Sequence, residues 1–229
     1  MGRTRSDLHR TAAHVLGRRR YAVSGHFGLR ASPGGIATPA FGPEPETLRV
    51  TPECLVREVG NDASGLALAG ATLGSLAAFA GADLEGEFSA GAGMPAPGPD
   101  DQPLELDAKE LAELFSWFDL GWRVLDEVMA DRAGECAAST IQLWPEHFDV
   151  GTSLTFGDGD GDGVNLGFSP GDAFSDEAYL YLGPWGAARP GSPSYWNAPF
   201  GAVLLRSQVH GTDDGLAFLR DGLARLGLT

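Results

Sequence analysis

From Asp107 onward the chain repeats large apolar residues at helical spacing: Leu111, Leu114, Phe115, Phe118, Trp122, Leu125 and Met129. A stripe of that size demands a long helix with a sheet or another helix against it, because so much aromatic surface is not left in water. Asp107 and Glu110 stand ahead of it at the spacing of a capping box. The rest of the second half is punctuated by turn residues. Strands are expected near 140–144, 147–156, 164–168, 178–182 and 200–208, then a closing helix from about Asp213 carrying Leu216, Leu219, Leu223 and Leu226.

In the first half, Ser6 is placed to cap a helix whose apolar positions Leu8, Ala12, Val15 and Leu16 share a face. Arg18, Arg19 and Arg20 lie near its negative end. Strands are expected over 21–30 and 36–41 about the turn Ser32-Pro33-Gly34-Gly35, over 48–59 with a break at Pro52, and over 66–68. Thr72 starts a short helix containing Leu73, Leu76, Ala77 and Ala80, and Gly81 stops it. Residues 85–106 are rich in Gly, Ala and Pro without a period, the composition of a linker.

The pattern predicts one α+β unit over 1–229, mainly antiparallel sheet with about four helices. Both 1–84 and 107–229 run as strands followed by a helix, and each holds a Ser-Pro-Gly turn, at Ser32-Pro33-Gly34 and at Ser169-Pro170-Gly171. The shared order suggests two pseudo-equivalent halves. A chain with 33 Gly and 15 Pro also produces such a turn by chance.

At 43% hydrophobic and 21% charged residues, the composition is that of a globular protein. The net charge of −15 is unevenly spread: residues 1–30 hold seven arginines and one acid, the remainder nine basic and thirty acidic residues. Such a chain repels phosphate backbones, so no nucleic-acid partner is expected. The most apolar run, 66–82, is broken by Thr72 and Ser75, and no membrane partner is expected. Cys54 and Cys136 lack paired-ligand spacing, and the N-terminus has the Arg but not the apolar stretch of a signal peptide. A cytoplasmic protein with reduced thiols follows.

Chemistry is sought where charge concentrates. Between Ala133 and Ala188 no Lys or Arg occurs, but Glu135, Glu146, Asp149, Asp158, Asp160, Asp162, Asp172, Asp176 and Glu177 do. Asp158-Gly-Asp160-Gly-Asp162-Gly163 matches the first half of a calcium loop, although Ser169 stands where its bidentate Glu belongs. A calcium site made of Asp158, Asp160 and Asp162 needs a further carboxylate, Asp172 or Asp176. The plainer reading is a solvated hairpin tip with Asp-Gly pairs.

If 147–154 is a strand, its period of two places His147 and Asp149 on one polar face, the arrangement of a base oriented by a carboxylate or of two metal ligands. A metal would need His26 or His210 brought in by the fold. Gly167-Phe168-Ser169-Pro170-Gly171 mimics a nucleophile elbow, but Pro170 has no N–H for an oxyanion hole, so a tight turn is expected. Tyr179 and Tyr181 share a strand face and, with Trp185, Trp196 and the amide of Asn197, are candidates to line a ligand pocket. The alternative is that these aromatic residues cover the core.

Gln142-Leu-Trp-Pro-Glu-His-Phe-Asp149, Ser169-Pro-Gly-Asp172, Tyr179-Leu-Tyr-Leu-Gly-Pro-Trp185, Trp196-Asn197 and Gly28-Leu-Arg-Ala-Ser-Pro-Gly-Gly35 together resemble a family of bacterial proteins with no assigned activity. The resemblance spans most of the chain and implies no reaction. From the residues, the leading expectation is small-molecule binding, with or without a divalent cation, in a cleft lined by His147, Asp149 and the 179–197 aromatic segment. The alternatives are a metal-assisted or His-based hydrolase and an interaction module whose acidic loop takes calcium or a basic partner.

Overall fold

The structure, a computed structural model, describes residues 2–132 and 136–228. Glu135 of the acidic stretch lies outside the described residues. The fold is α+β, with two antiparallel sheets of five and six strands and four helical stretches. The strands in chain order are β1 (Arg30–Ser32), β2 (Gly35–Ala37), β3 (Glu46–Val50), β4 (Cys54–Val59), β5 (Asp62–Ala67), β6 (Ala137–Ala138), β7 (Gln142–Trp144), β8 (Asp149–Thr155), β9 (Gly163–Ser169), β10 (Tyr179–Pro184) and β11 (Ala202–Leu205). Internal contacts divide the chain into two compact units, residues 1–119 with 143–148 and residues 120–142 with 149–229. Among the described residues, no helix is long and apolar enough to cross a membrane.

In the first unit, α1 (Gly2–Thr11), a π-helical turn (Ala12–Gly17) and α2 (Arg18–Ser24) run on as one helix. Leu8, Ala12, Val15 and Leu16 are all fully buried, as their stripe requires. Two expectations are corrected. The helix starts at Gly2, so Ser6 lies inside it and does not cap it. It also continues through Tyr21 and Val23, assigned to a strand from sequence, and stops only at Gly25, whose φ of +73° suits glycine.

Long-range anchors outweigh the strand preference of those residues. Arg18 Nη1 donates to the carbonyls of Asp83, Leu84 and Gly86, Arg19 pairs with Glu46, and Arg20 donates to the carbonyl of Gly28. Along the same helix lies the irregular segment 85–106, which composition presents as a linker. Arg10 donates to the Pro97 and Pro99 carbonyls, and His14 Nε2 donates to Pro95 O at 2.7 Å.

Strands β1 to β5 form a meander in chain order. Ser32-Pro33-Gly34-Gly35 closes the first hairpin as expected, with Ser32 opposite Gly35. Pro52 falls in the turn between β3 and β4, where Thr51 Oγ1 accepts the Cys54 amide at 3.1 Å. The helix α3 (Leu73–Ala80) begins at Thr72: its Oγ1 accepts the Ser75 amide, and Ser75 Oγ accepts the Thr72 amide. A later piece of chain completes this unit. Leu143 exchanges both backbone hydrogen bonds with Leu29, and Phe148 stacks on His9 with ring centroids 4.7 Å apart.

The helix α4 (Ala108–Asp131) starts as its capping spacing predicts, with the Glu110 amide on Asp107 Oδ1 at 2.9 Å. Leu111, Leu114, Phe115, Phe118 and Leu125 are buried. Beyond Phe118 the buried face passes through Val124 and Val128, while Trp122 and Met129 are only half-buried. Leu111 and Met129 lie 18 residues apart, about five full turns, and so share one side of the helix; the buried face moves round it through Trp117, Gly121, Val124 and Val128.

In the second unit the sheet follows the path β11-β10-β9-β8-β6. One face is apolar: Val150, Leu154, Val164, Leu166, Phe168, Leu180, Leu182 and Ala202 are buried to the last atom. The helix α5 (Thr212–Arg225) packs on β10 and buries Leu216, Leu219 and Leu223. Arg220 joins it to the last turns of α4 through Asp131 at 2.6 Å and Glu127 at 3.1 Å. The second Ser-Pro-Gly sequence does not close a tight hairpin like the first; it opens the longer connection 170–178 between β9 and β10.

A half-buried histidine of the first unit, His9, sets an acid limit on stability. Burial lowers the His9 pKa from the usual 6.5 to about 4, outweighing the hydrogen bond its Nε2 makes to Pro145 O at 2.8 Å. The unfolded chain therefore takes up this proton before the folded chain does. The stability His9 contributes is complete above pH 6.5, declines between pH 6.5 and pH 4, and changes no further below that. The loss expected from this one residue is about 2 kcal/mol, allowing for its partial exposure. Urea midpoints measured from pH 7.5 to pH 4 should fall in the wild type and fall less in His9→Gln; equal slopes would remove His9 as the cause.

Candidate functional site

The polar face of the second sheet is built in two rows. Ser169 of β9 lies opposite Tyr179 of β10, and Gly167 lies opposite both Gly151 of β8 and Tyr181 of β10. Side chains two residues apart on a strand share a face, so Asp149 and Gly151, Gly167 and Ser169, and Tyr179 and Tyr181 all project to one side. The two glycines leave a trough in which the Tyr181 ring lies. A Cβ on Gly167 would stand 2.4 Å from its Cζ and hydroxyl oxygen, and one on Gly151 would stand 3.3 Å from that oxygen. Across this trough the Tyr181 hydroxyl reaches Asp149 Oδ2 and donates to it.

Tyr179 makes the parallel contact, donating to Asp172 Oδ2 at 2.6 Å. Asp172 begins the turn after β9, where its Oδ1 accepts the Phe174 amide at 2.8 Å and the Ser175 amide at 3.3 Å. Ser169 Oγ accepts the Gly171 amide at 3.1 Å and so bends the chain at the elbow-like sequence as it leaves β9. Phe174 and Phe200 complete the group. Their centroids are 5.1 Å apart; Phe174 lies 5.5 Å from Tyr179, and Phe200 lies 6.3 Å from Tyr181. Asp149 and Tyr179 are buried, while Phe174 and Phe200 are 43% and 38% exposed and Asp172 is exposed.

Burial raises both phenols. For Tyr181, desolvation is the main cause, followed by the charge of Asp149 and the bond to it; for Tyr179, desolvation is followed by the bond to Asp172. Both hydroxyls therefore keep their protons through the neutral range and act as fixed donors to the two carboxylates. Replacing Tyr181 by Phe removes the donor and leaves the buried Asp149 carboxylate short of it. A loss of about 1–2 kcal/mol is expected in urea unfolding, and an unchanged midpoint would show that the bond adds nothing.

Several sequence candidates stand elsewhere. His147 is not on a strand: Pro145 to Phe148 form a turn, closed by the Phe148 amide on Trp144 O at 2.7 Å, and β8 begins only at Asp149. Phe148 sits at φ +58°, which breaks the two-residue alternation, so the expected shared face for His147 and Asp149 is corrected. His147 is exposed on that turn, and its ring nitrogen Nδ1 faces Gly93.

Trp185 donates Nε1–H to Asn165 Oδ1 at 2.8 Å, and Trp196 donates to Pro190 O at 2.9 Å beneath the Arg189 guanidinium. The rings actually in contact with Tyr179 and Tyr181 are Phe174 and Phe200. Asn197 uses both ends of its amide on the backbone of Val203, at 3.0 and 2.8 Å, and so fixes the start of β11.

Asp158, Asp160 and Asp162 lie in the tip of the β8–β9 hairpin. There Asp162 Oδ2 accepts the Gly159 amide at 2.9 Å, while Asp172 is engaged with Tyr179. Among the described residues, no group of three His, Cys, Asp or Glu side chains is arranged to hold a metal ion. The sequence did not point to Phe174, Phe200, Gly151 or Gly167. An isolated glycine inside a strand such as Gly167 was the available signal, since it often marks close approach by another group. No protein-family model, no curated protein and no solved structure matches the chain.

Proposed function

We propose that the second unit binds a small organic molecule on the sheet face formed by Tyr179, Tyr181, Phe174 and Phe200. One observation carries the reading: four aromatic rings form one group, two phenylalanines that open to solvent and two phenols whose hydroxyls are bonded to carboxylates. Apolar rings exposed beside a few fixed polar groups are the usual make-up of a ligand site, supplying contact area and orientation together. Preorganisation matters as much as contact, because phenols already locked in place lose little freedom when a ligand arrives. A His-based hydrolase draws no comparable support, since His147 sits on a turn and does not share a strand face with Asp149.

The test is a fragment screen read by NMR on protein labelled at its Phe and Tyr rings. Binding should shift Tyr179, Tyr181, Phe174 and Phe200 together, and Phe200→Ala should reduce those shifts several-fold while the spectrum stays folded. Shifts confined to other rings, or none from a chemically diverse set, would overturn the proposal.

A further inference from the structure

We propose that the molecule bound on this face is an organic cation with N–H donors, a primary ammonium or guanidinium attached to an aromatic or short aliphatic body. The inference rests on the binding function proposed above and gives that site its ligand class. It starts from the inventory of donors and acceptors. A phenol has one donor, and both phenols have committed theirs: Tyr179 to Asp172 and Tyr181 to Asp149. The carboxylates only accept, and Ser169 Oγ turns its hydrogen toward Asp172 Oδ2 at 3.5 Å. What the side chains offer a ligand is therefore acceptor oxygens and ring faces.

A hydroxyl that donates to a carboxylate is also a better acceptor, because the chain of hydrogen bonds polarises it. The Tyr181 hydroxyl is enclosed over the glycine trough, whereas the Tyr179 hydroxyl is bonded to a carboxylate, Asp172, that is itself exposed. An incoming N–H group would meet the Asp172 carboxylate, with the Tyr179 oxygen bonded to it alongside.

Charge points the same way. Among the described residues, the hydrogen-bond partners of Asp172 are the Tyr179 and Ser169 hydroxyls and the amides of Phe174 and Ser175, all neutral, and no ion pair reaches it. The next arginine along the chain, Arg189, is occupied: it donates to the carbonyls of Gly186, Ala188 and Phe200 and lies over Trp196. Phe174, whose amide Asp172 accepts, and Phe200 are the exposed rings of this face, and aromatic rings attract a cation through their quadrupole and accept an apolar body equally well. An anionic ligand would meet the exposed Asp172 carboxylate, while the Arg189 guanidinium at Phe200 is already spent on backbone carbonyls.

The test compares compounds of one shape and different charge: phenethylamine, benzamidine, the neutral phenethyl alcohol and the anionic phenylacetate. Affinities come from titrations of the full chain followed by the Tyr and Phe ring signals at fixed ionic strength. The two cations should bind at least tenfold more tightly than the alcohol, and phenylacetate should not bind. Asp172→Asn should bring phenethylamine down to the affinity of the alcohol. Phe200→Ala should weaken both and serves as the second variant should Asp172→Asn fail to fold. If the alcohol or phenylacetate matches phenethylamine on this face, the cation class is overturned and the binding function stands. Amine binding unaffected by Asp172→Asn and Phe200→Ala would be diffuse attraction to an acidic protein and would overturn it too. If no compound of any charge perturbs these rings, both proposals fall.

Discussion

Replacing Glu46 by Ala is expected to cost about 3 kcal/mol of stability, one of the two largest losses foreseen for a single substitution in this chain. Glu46 is 4% exposed at the start of β3 and holds two arginines from different elements. Arg19 of α2 meets its Oε2 at 2.8 Å, and Arg57 of β4 meets its Oε1 at 3.0 Å. Both arginines reach on to the α3 end of the unit, Arg19 to the Gly81 carbonyl and Arg57 to that of Phe79. Removing the carboxylate leaves two guanidinium groups close together with no counter-charge. Each keeps about a quarter of its side chain in water, so the cost stays at the lower end for a broken buried pair.

Glu46→Gln keeps the shape and an acceptor and should lose about half as much. High salt should restore little, since Glu46 itself is shielded from solvent. Urea denaturation of the three proteins checks this. A loss below about 1 kcal/mol for Glu46→Ala would mean that water replaces the carboxylate at little cost.

Elements that depend on local pattern were legible in the sequence. The cap of α4 at Asp107, the Thr72 start and Gly81 stop of α3, and the Ser32–Gly35 turn each rest on residues within a few positions of one another, and all three stand in the structure. Features that depend on partners distant in sequence were not legible. Tyr21 and Val23 favour a strand by themselves, and they are helical because Arg18, Arg19 and Arg20 find carbonyls and a carboxylate elsewhere in the unit. His147 was placed on a strand by an alternation that one residue, Phe148 at φ +58°, is enough to break.

The candidate site was half visible for the same reason. Tyr179, Tyr181, Asp149 and Asp172 were each marked from sequence, but under three separate headings: an aromatic wall, a base-orienting acid and a calcium ligand. Only the register of β8, β9 and β10 brings them together. Phe174 lies outside any periodic run, and Phe200 stood only as the first residue of the expected strand 200–208, which in the structure begins at Ala202, so nothing local marked either as part of a site.

Gly167 tests whether that register is what makes the site. A methyl group there would stand 2.4 Å from the Tyr181 hydroxyl oxygen and Cζ, far inside van der Waals contact, and the obstacle is an aromatic ring that cannot bend aside. In Gly167→Ala the ring must leave the trough, which removes the donor from Asp149 and exposes an aromatic side chain. A loss of about 2–4 kcal/mol is expected, greater than for Tyr181→Phe, which keeps the ring in place. Fragment shifts at Tyr181 and Phe200 should vanish with it.

A general weakening of β9 would look similar, so the discriminating measurement is a cycle with Tyr181→Ala. Once the ring is gone, a methyl at position 167 has room, and Gly167→Ala should cost less than about 1 kcal/mol or even stabilise the strand, because alanine has less backbone freedom to lose than glycine. Equal costs in the two backgrounds would show that the glycine serves the strand alone. Strong coupling would show that Gly167 is there to let Tyr181 cross the sheet and reach Asp149.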